Sequence, residues 1–257
     1  MSGHRFGGSW TEEKLKSVGS YLSRYTTALK YQSFELVYFD AFAGTGDREE
    51  DPKIFPLFND DQEWLKGEGI FKGSARISLE TEPAFDRFIF VEKSKRKFDQ
   101  LKKLAAEFPN KSDHIQFVRN DANSAIEEFC RTTNWRRTRA VMFLDPYGMQ
   151  VDWKTIQMIA ATKSIDLWYL VPAMIGIARL LKNDGNIPEP WEDRLDRNLG
   201  TTSWREAFFV EETEKNLFGE MSSHVSKTAD VGSIEKFIFE RLSSEFEAAA
   251  EHGLPLR

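Results

Sequence analysis

The stretch FELVYFDAFAGTG, residues 34–46, constrains this chain more than any other. Phe34 to Phe39 is rich in aromatic and β-favouring residues and reads as a buried strand. It ends in Asp40 and passes into a turn that holds Gly44 and Gly46. Glycine lacks a Cβ, so such a turn can take positive φ and let a ligand come close to the backbone. A strand, an acid and a glycine turn, in that order, open the nucleotide-binding α/β folds.

The pattern then recurs. Arg87 to Glu92 is a second strand ending in an acid. Ile115 to Val118 leads into Asn120-Asp121-Ala122, and Ala140 to Leu144 delivers Asp145-Pro146-Tyr147-Gly148. Ile165 to Val171 makes a fifth strand, closed by Pro172. Apolar residues at helical spacing place helices over 73–81, Lys95–Phe108, Ser124–Cys130, Trp153–Ala161 and Ala173–Leu181. Strands alternating with helices imply right-handed crossovers, and so an α/β fold with a doubly wound, mostly parallel Rossmann-like sheet and helices on both faces. Ligands of such sheets lie beyond the carboxyl ends of the strands. Asp40, Gly44, Gly46, Glu92, Asp121 and Asp145 all fall at those ends. A carboxylate at Glu92 suits the two hydroxyls of a ribose. Asn120 or Asp121 also suits the cap of the following helix, and both roles can hold at once.

These motifs carry a resemblance. FDAFAGTG, FIFVEKS, RNDA and MFLDPYG resemble the motif series of class I S-adenosylmethionine-dependent methyltransferases. WTEEKL, FDAFAGTG, FLDPYG and DLWYLVPAMIGIARLL resemble more closely the three-Cys-motif partner protein family, over most of Trp10 to Leu181. The resemblance implies S-adenosyl-L-methionine as cofactor, held by Asp40, Phe42, Ala43, Gly44, Gly46, Glu92, Asp121 and Ala122. In that set Asp121 accepts from the adenine amine and Ala122 offers a backbone donor to the ring. Asp145 and Tyr147 take the catalytic place, because DPYG resembles the Asp/Asn/Ser-Pro-Pro-Tyr/Phe signature of amino-directed methyltransferases with one proline missing. A shape-only role for Pro146, turning the chain out of the sheet, stands beside that reading. The resemblance also implies a partner, a radical-SAM-related protein with three cysteines, encoded beside members of the family. The expected function is methyl transfer with a nucleic-acid base as acceptor. The alternative is a non-catalytic cofactor-fold module that scaffolds the three-cysteine partner. A nicotinamide-dependent oxidoreductase fits poorly, since AFAGTG is not G-x-G-x-x-G.

The remaining sequence bounds these readings. A net charge of −6 argues against a generally basic nucleic-acid binder and leaves room for a local basic surface. Lys95, Arg96, Lys97, Lys102 and Lys103 form one such run, read first as a solvated helix face. Cys130 is the sole cysteine, and the four histidines lack ligand spacing, so no disulfide and no metal are expected. No apolar run approaches bilayer length and the first residues lack the apolar core of a secretion signal, so no membrane contact and a cytoplasmic location are expected. The expected organisation is a core over residues 1–182, with an insertion at about 48–72, and a helical extension over 183–257. The insertion suits either a lid or a disordered loop. Helices are expected at Trp204–Phe218 and Ser233–Glu251. Ser9-Trp10-Thr11-Glu12 has capping-box form ahead of a helix reaching Leu29, which either packs only or brings Thr11 or Lys14 to the ligand. After Glu251 too few residues remain for the hairpin that closes a methyltransferase sheet. The expectation is a sheet completed by residues beyond Arg257, or completed in another way.

Overall fold

The computed structural model describes residues 8–48, 71–215 and 221–250. In chain order its strands are β1 (Glu35–Asp40), β2 (Asp47–Arg48), β3 (Phe71–Lys72), β4 (Arg87–Val91), β5 (Ile115–Val118), β6 (Thr138–Leu144), β7 (Ile165–Tyr169), β8 (Phe209–Lys215) and β9 (Met221–Lys227). Five of them form one sheet in the order β5-β4-β1-β6-β7. β1 pairs in parallel with both β4 and β6, and β4 pairs in parallel with β5. The chain winds outward from β1 to β5, then returns to β6 on the other side of β1, which makes the β1/β6 boundary the switch point of a Rossmann-like sheet. The expected α/β class holds. The expected insertion lies almost wholly outside the described residues; β2 and β3, at its two ends, pair antiparallel.

The described residues divide into two compact units. One runs to Asp121 and includes Arg136–Phe143; the other comprises Ala122–Trp135 and the chain from Leu144 onward.

In the first unit, β1 buries Leu36, Val37, Tyr38 and Phe39, and β4 buries Phe88 through Val91. The strands are apolar on both faces because helices cover both. Much of this core is aromatic: Tyr38, Phe85, Phe88, Phe90, Phe117 and Phe98 form a chain of ring contacts with centroids 5.7–6.3 Å apart. Helix α1 (Gly8–Leu29) buries Val18 and Leu22, and its Gly19 comes close to Ile77 of α2 (Ser74–Glu80). Because α1 starts at Gly8, Ser9 lies in its first turn rather than at its cap, which corrects the capping-box reading. The side chains of Thr11 and Lys14 lie outside the described residues. Helix α3 (Lys95–Ala105) turns Phe98, Leu101, Leu104 and Ala105 inward, then gives way to a short 3-10 turn at Pro109–His114.

The second unit holds α4 (Ala122–Thr132), α5 (Trp153–Ala161), a π-helical turn at Ala173–Ala178, α6 (Glu189–Leu199), α7 (Trp204–Phe208) and α8 (Val231–Glu245). Ile177, Leu195, Leu199, Trp204, Phe208 and Ile234 form the centre of its apolar cluster. Gly200 ends α6 in the left-handed conformation, and Arg241 of α8 donates to the carbonyls of Leu199 and Gly200 while lying over the Trp153 ring. Arginine on the last carbonyls of a helix satisfies acceptors that have no partner within the helix. At the start of α8, Asp230 and Ser233 form a capping box.

The expected helix over Trp204–Phe218 is corrected. It stops at Phe208, and β8 then pairs antiparallel with β9. The two strands pair over their whole length, from Phe209 opposite Lys227 to Lys215 opposite Met221. Glutamate favours helix, but a pairing partner along the whole strand outweighs that preference.

Two groups of this unit set an alkaline limit. Burial pushes the Cys130 thiol up to about 12 from its ordinary 9.0. It likewise raises the Tyr169 phenol to about 12 from 10.0, against a hydrogen bond with Asn198 that lowers it. Between those values the unfolded chain has lost protons that the folded chain keeps, so stability falls with rising pH. We expect a denaturation midpoint that these groups leave flat below about pH 8.5 and lower progressively from about pH 9 toward 12. A Cys130→Ala, Tyr169→Phe variant should show a shallower alkaline decline; an identical profile would contradict the assignment.

Candidate functional site

The turn after β1 is built by a buried carboxylate. Asp40 is 0% exposed. Its Oδ1 accepts from the Phe42 amide at 3.0 Å, and its Oδ2 accepts from the Ser74 hydroxyl at 2.5 Å. The carboxylate thus ties the turn to the first residue of α2 and shows no surface of its own. Ala43 is buried and donates to the Val91 carbonyl, while Phe42 is half-buried. Gly44 and Gly46 take φ of +61° and +86°, values that side chains other than glycine rarely adopt. Their roles differ. A Cβ on Gly46 would run into the side chain of Leu104 of α3, so this glycine lets the turn close on the helix. A Cβ on Gly44 would meet, among the described residues, only the Phe42 carbonyl oxygen at 4.0 Å. Among the described residues, the space beside the Gly44 Cα is therefore open.

The ends of β4 and β5 supply two further carboxylates in the same unit. Glu92 donates its amide to the Val118 carbonyl at 3.1 Å, which fixes the two strand ends side by side. Its Oε1 accepts from the Ser94 amide at 2.6 Å, and the residue keeps partial exposure. Asp121 has a side chain 45% exposed, with Lys93 Nζ 3.3 Å from its Oδ2. That pair is solvated and holds little energy, so it yields readily to a ligand donor. The Asp121 amide donates to the Asn120 side chain at 2.8 Å, the local bond expected of a residue leading into a helix.

In the second unit Ala122, 8% exposed, is the first residue of α4. Asp145 directly follows β6 and is half-buried; Pro146 is buried, and Tyr147 is 71% exposed. The loop after them is tightly bonded. The Gly148 amide donates to the Pro146 carbonyl, the Gln150 amide to the Gly148 carbonyl, and the Tyr147 amide to the Gln150 side chain.

Asn123 also shapes this loop, and motif reasoning missed it. Its Nδ2 donates to the Gln150 carbonyl at 2.8 Å, while its Oδ1 accepts from the Asp152 amide at 3.0 Å and the Thr155 hydroxyl at 2.8 Å. One side chain in the first turn of α4 therefore holds the loop that carries Asp145 and Tyr147. An asparagine in a first helical turn commonly bonds to nearby backbone, and that was the available signal. Asn123→Ala should destabilise the chain by about 2 kcal/mol. Amide exchange should then quicken at residues 147–152 ahead of the rest of the unit; uniform exchange would contradict the role.

Among the described residues no three His, Cys, Asp or Glu side chains are grouped to hold a metal, and no helix is long and apolar enough to cross a membrane.

No protein-family model matches the chain, and no curated protein does. Solved structures are similar at low identity. Protein LPL1258 from Legionella pneumophila is 15% identical, with 90% of this chain and 91% of that one covered and a TM-score of 0.42. The candidate methyltransferase yhhF from Escherichia coli is 12% identical, with 82% and 87% covered and a TM-score of 0.34. The candidate RNA methyltransferase PH1948 from Pyrococcus horikoshii is 15% identical, with 90% and 92% covered and a TM-score of 0.34. With all three TM-scores below 0.5, the residues of this chain alone carry the functional reading.

Proposed function

We propose that the chain is an S-adenosyl-L-methionine-dependent methyltransferase acting on a nucleic-acid base. The observation that carries this reading is the turn after β1, where Gly44 takes positive φ with open space beside it among the described residues while Gly46 closes the turn on α3. The residues present fit the cofactor. Glu92 offers a partly exposed carboxylate for ribose hydroxyls, and Asp121 an accessible one for an exocyclic amine. Gly44 supplies backbone for close approach, and Asp40 and the buried Ala43, through their own hydrogen bonds, hold the turn in shape. When bound, the cofactor supplies an electrophilic methyl group.

Asp145 would accept a hydrogen bond from the acceptor amine, orient it, and take up the proton it sheds. Tyr147 presents a largely solvent-facing ring, suited to stacking on an acceptor base. The chain's contribution would be mainly positioning, with proton uptake by Asp145 as its acid–base part. A second reading draws on that same exposure. A solvent-facing Tyr147 also suits a binding module seated on the radical-SAM-related three-cysteine protein, and the resemblance to the three-Cys-motif partner family supports that association.

The test is transfer of labelled methyl from S-adenosyl-L-methionine to RNA and DNA, with and without the three-cysteine protein. Transfer that falls by about 10²-fold in Asp145→Ala would support the enzyme. Association with the three-cysteine protein, lost in Tyr147→Ala and without transfer to any acceptor, would favour the binding module.

A further inference from the structure

We propose that the outer face of α3, continued by Lys93 and Arg119, is a docking ridge for the phosphate backbone of a single-stranded nucleic acid. Between Lys93 and Lys103 the chain carries six cations and one carboxylate, Asp99, in a protein of net charge −6. Because Phe98, Leu101, Leu104 and Ala105 face inward, the basic residues are left outside. Lys95 and Lys102 are seven residues apart, as are Arg96 and Lys103, so each pair falls in one column along the helix. Lys93, Lys95, Arg96, Lys102, Lys103 and Arg119 are all exposed.

Several features separate this face from an ordinary solvated one. The first turn of α3 has no acidic residue and begins with Lys95-Arg96-Lys97, cations placed where the helix dipole disfavours them. An anion at that end relieves both the dipole and the mutual repulsion. Arg119 joins the same field from the end of β5. The hydrogen bond from Lys95 at 2.8 Å, against desolvation and with the charges of Lys95, Lys102 and Arg119, holds the Asp99 carboxyl below its ordinary range. The ridge also starts where a substrate strand would pass. Lys93 adjoins Glu92, and Arg119 stands two residues before Asp121, so the cations rise from the strand ends assigned to the nucleoside. The helix extends the row by about 16 Å, room for several phosphates at about 3.4 Å or more apart. A single strand is the occupant because chemistry on a base requires that base out of a duplex stack.

The inference rests on the nucleic-acid acceptor of the proposed function, and one experiment separates the two. Binding of a labelled mixed-sequence 20-nucleotide RNA, and of the same sequence as DNA, is followed by anisotropy over a range of salt. The proteins are the full chain, a Lys95→Glu, Arg96→Glu, Lys103→Glu variant, the corresponding glutamine variant, and a Lys163→Glu, Lys236→Glu control from the second unit. The ridge predicts binding at least about tenfold weaker in the glutamate variant and weakened to a lesser degree in the glutamine variant. It also predicts a log–log salt slope shallower by about 2, unchanged S-adenosylhomocysteine binding, and a control like the full chain. Equal affinity in all four proteins, an equal loss in the control, or competition by polyglutamate as effective as by RNA would overturn it. RNA bound through the ridge by a chain that binds no S-adenosylhomocysteine would leave the ridge standing and remove the methyltransferase reading.

Discussion

Alanine at position 200 is expected to destabilise the chain by about 3 kcal/mol or more, the largest effect of any single methyl group added here. Gly200 ends α6 at φ +66°, and a Cβ there would collide with the Trp153 ring. The left-handed backbone alone accounts for about 1–2 kcal/mol. The collision adds to this because Trp153 is 3% exposed and held by a hydrogen bond from its indole to Glu245, with Arg241 over its ring. Gly148 is the natural control. It has φ +96°, but an added methyl carbon would find nothing within 4 Å among the described residues, so Gly148→Ala should show backbone strain alone. Urea denaturation of the two variants beside the parent separates the contributions. Equal midpoints for the two would contradict the packing assigned to Trp153.

Removing the Asp40 carboxylate should have the next largest effect, about 2–4 kcal/mol, because it strips a buried acceptor from the Phe42 amide and the Ser74 hydroxyl together. Asp40→Ala leaves the Phe42 amide and the Ser74 hydroxyl without their acceptor; Asp40→Asn keeps one oxygen and should cost less. Both variants should also weaken S-adenosylhomocysteine, although Asp40 has no exposed surface, because the turn that presents Gly44 loses its anchor. An Asp40→Ala protein with unaltered cofactor affinity and lowered stability would limit the residue to a structural role.

Asp40 also shows where sequence pattern runs out. Its place at a strand end is legible from the apolar run before it and the glycines after it. Its burial is not, because the second donor to its carboxylate is Ser74, 34 residues away. Glu92 and Asp121 stand on equally legible strand ends and do keep surface. β1, β4 and the second half of β6 could be read because each is a short apolar run closed by a polar residue, a pattern that helix packing on both faces demands. The β8–β9 hairpin escaped because its first strand is rich in glutamate and its pairing is tertiary. Asn123 escaped for a different reason. It belongs to no motif, and its importance lies in bonds to the Gln150 carbonyl, the Asp152 amide and the Thr155 hydroxyl, about thirty residues further on.

The central claim is that the turn at Gly44, with Glu92, holds the adenosyl cofactor. Calorimetric titration of the full chain with S-adenosylhomocysteine, beside Glu92→Ala and Gly44→Val variants shown to be folded by circular dichroism, tests it most directly. The expected result is saturable one-to-one binding that falls by about tenfold or more in each variant, in Glu92→Ala through lost hydrogen bonds to a charged group and in Gly44→Val through a side chain set in the space of close approach. A folded parent chain that shows no heat of binding, or variants that bind as tightly as the parent, would contradict it.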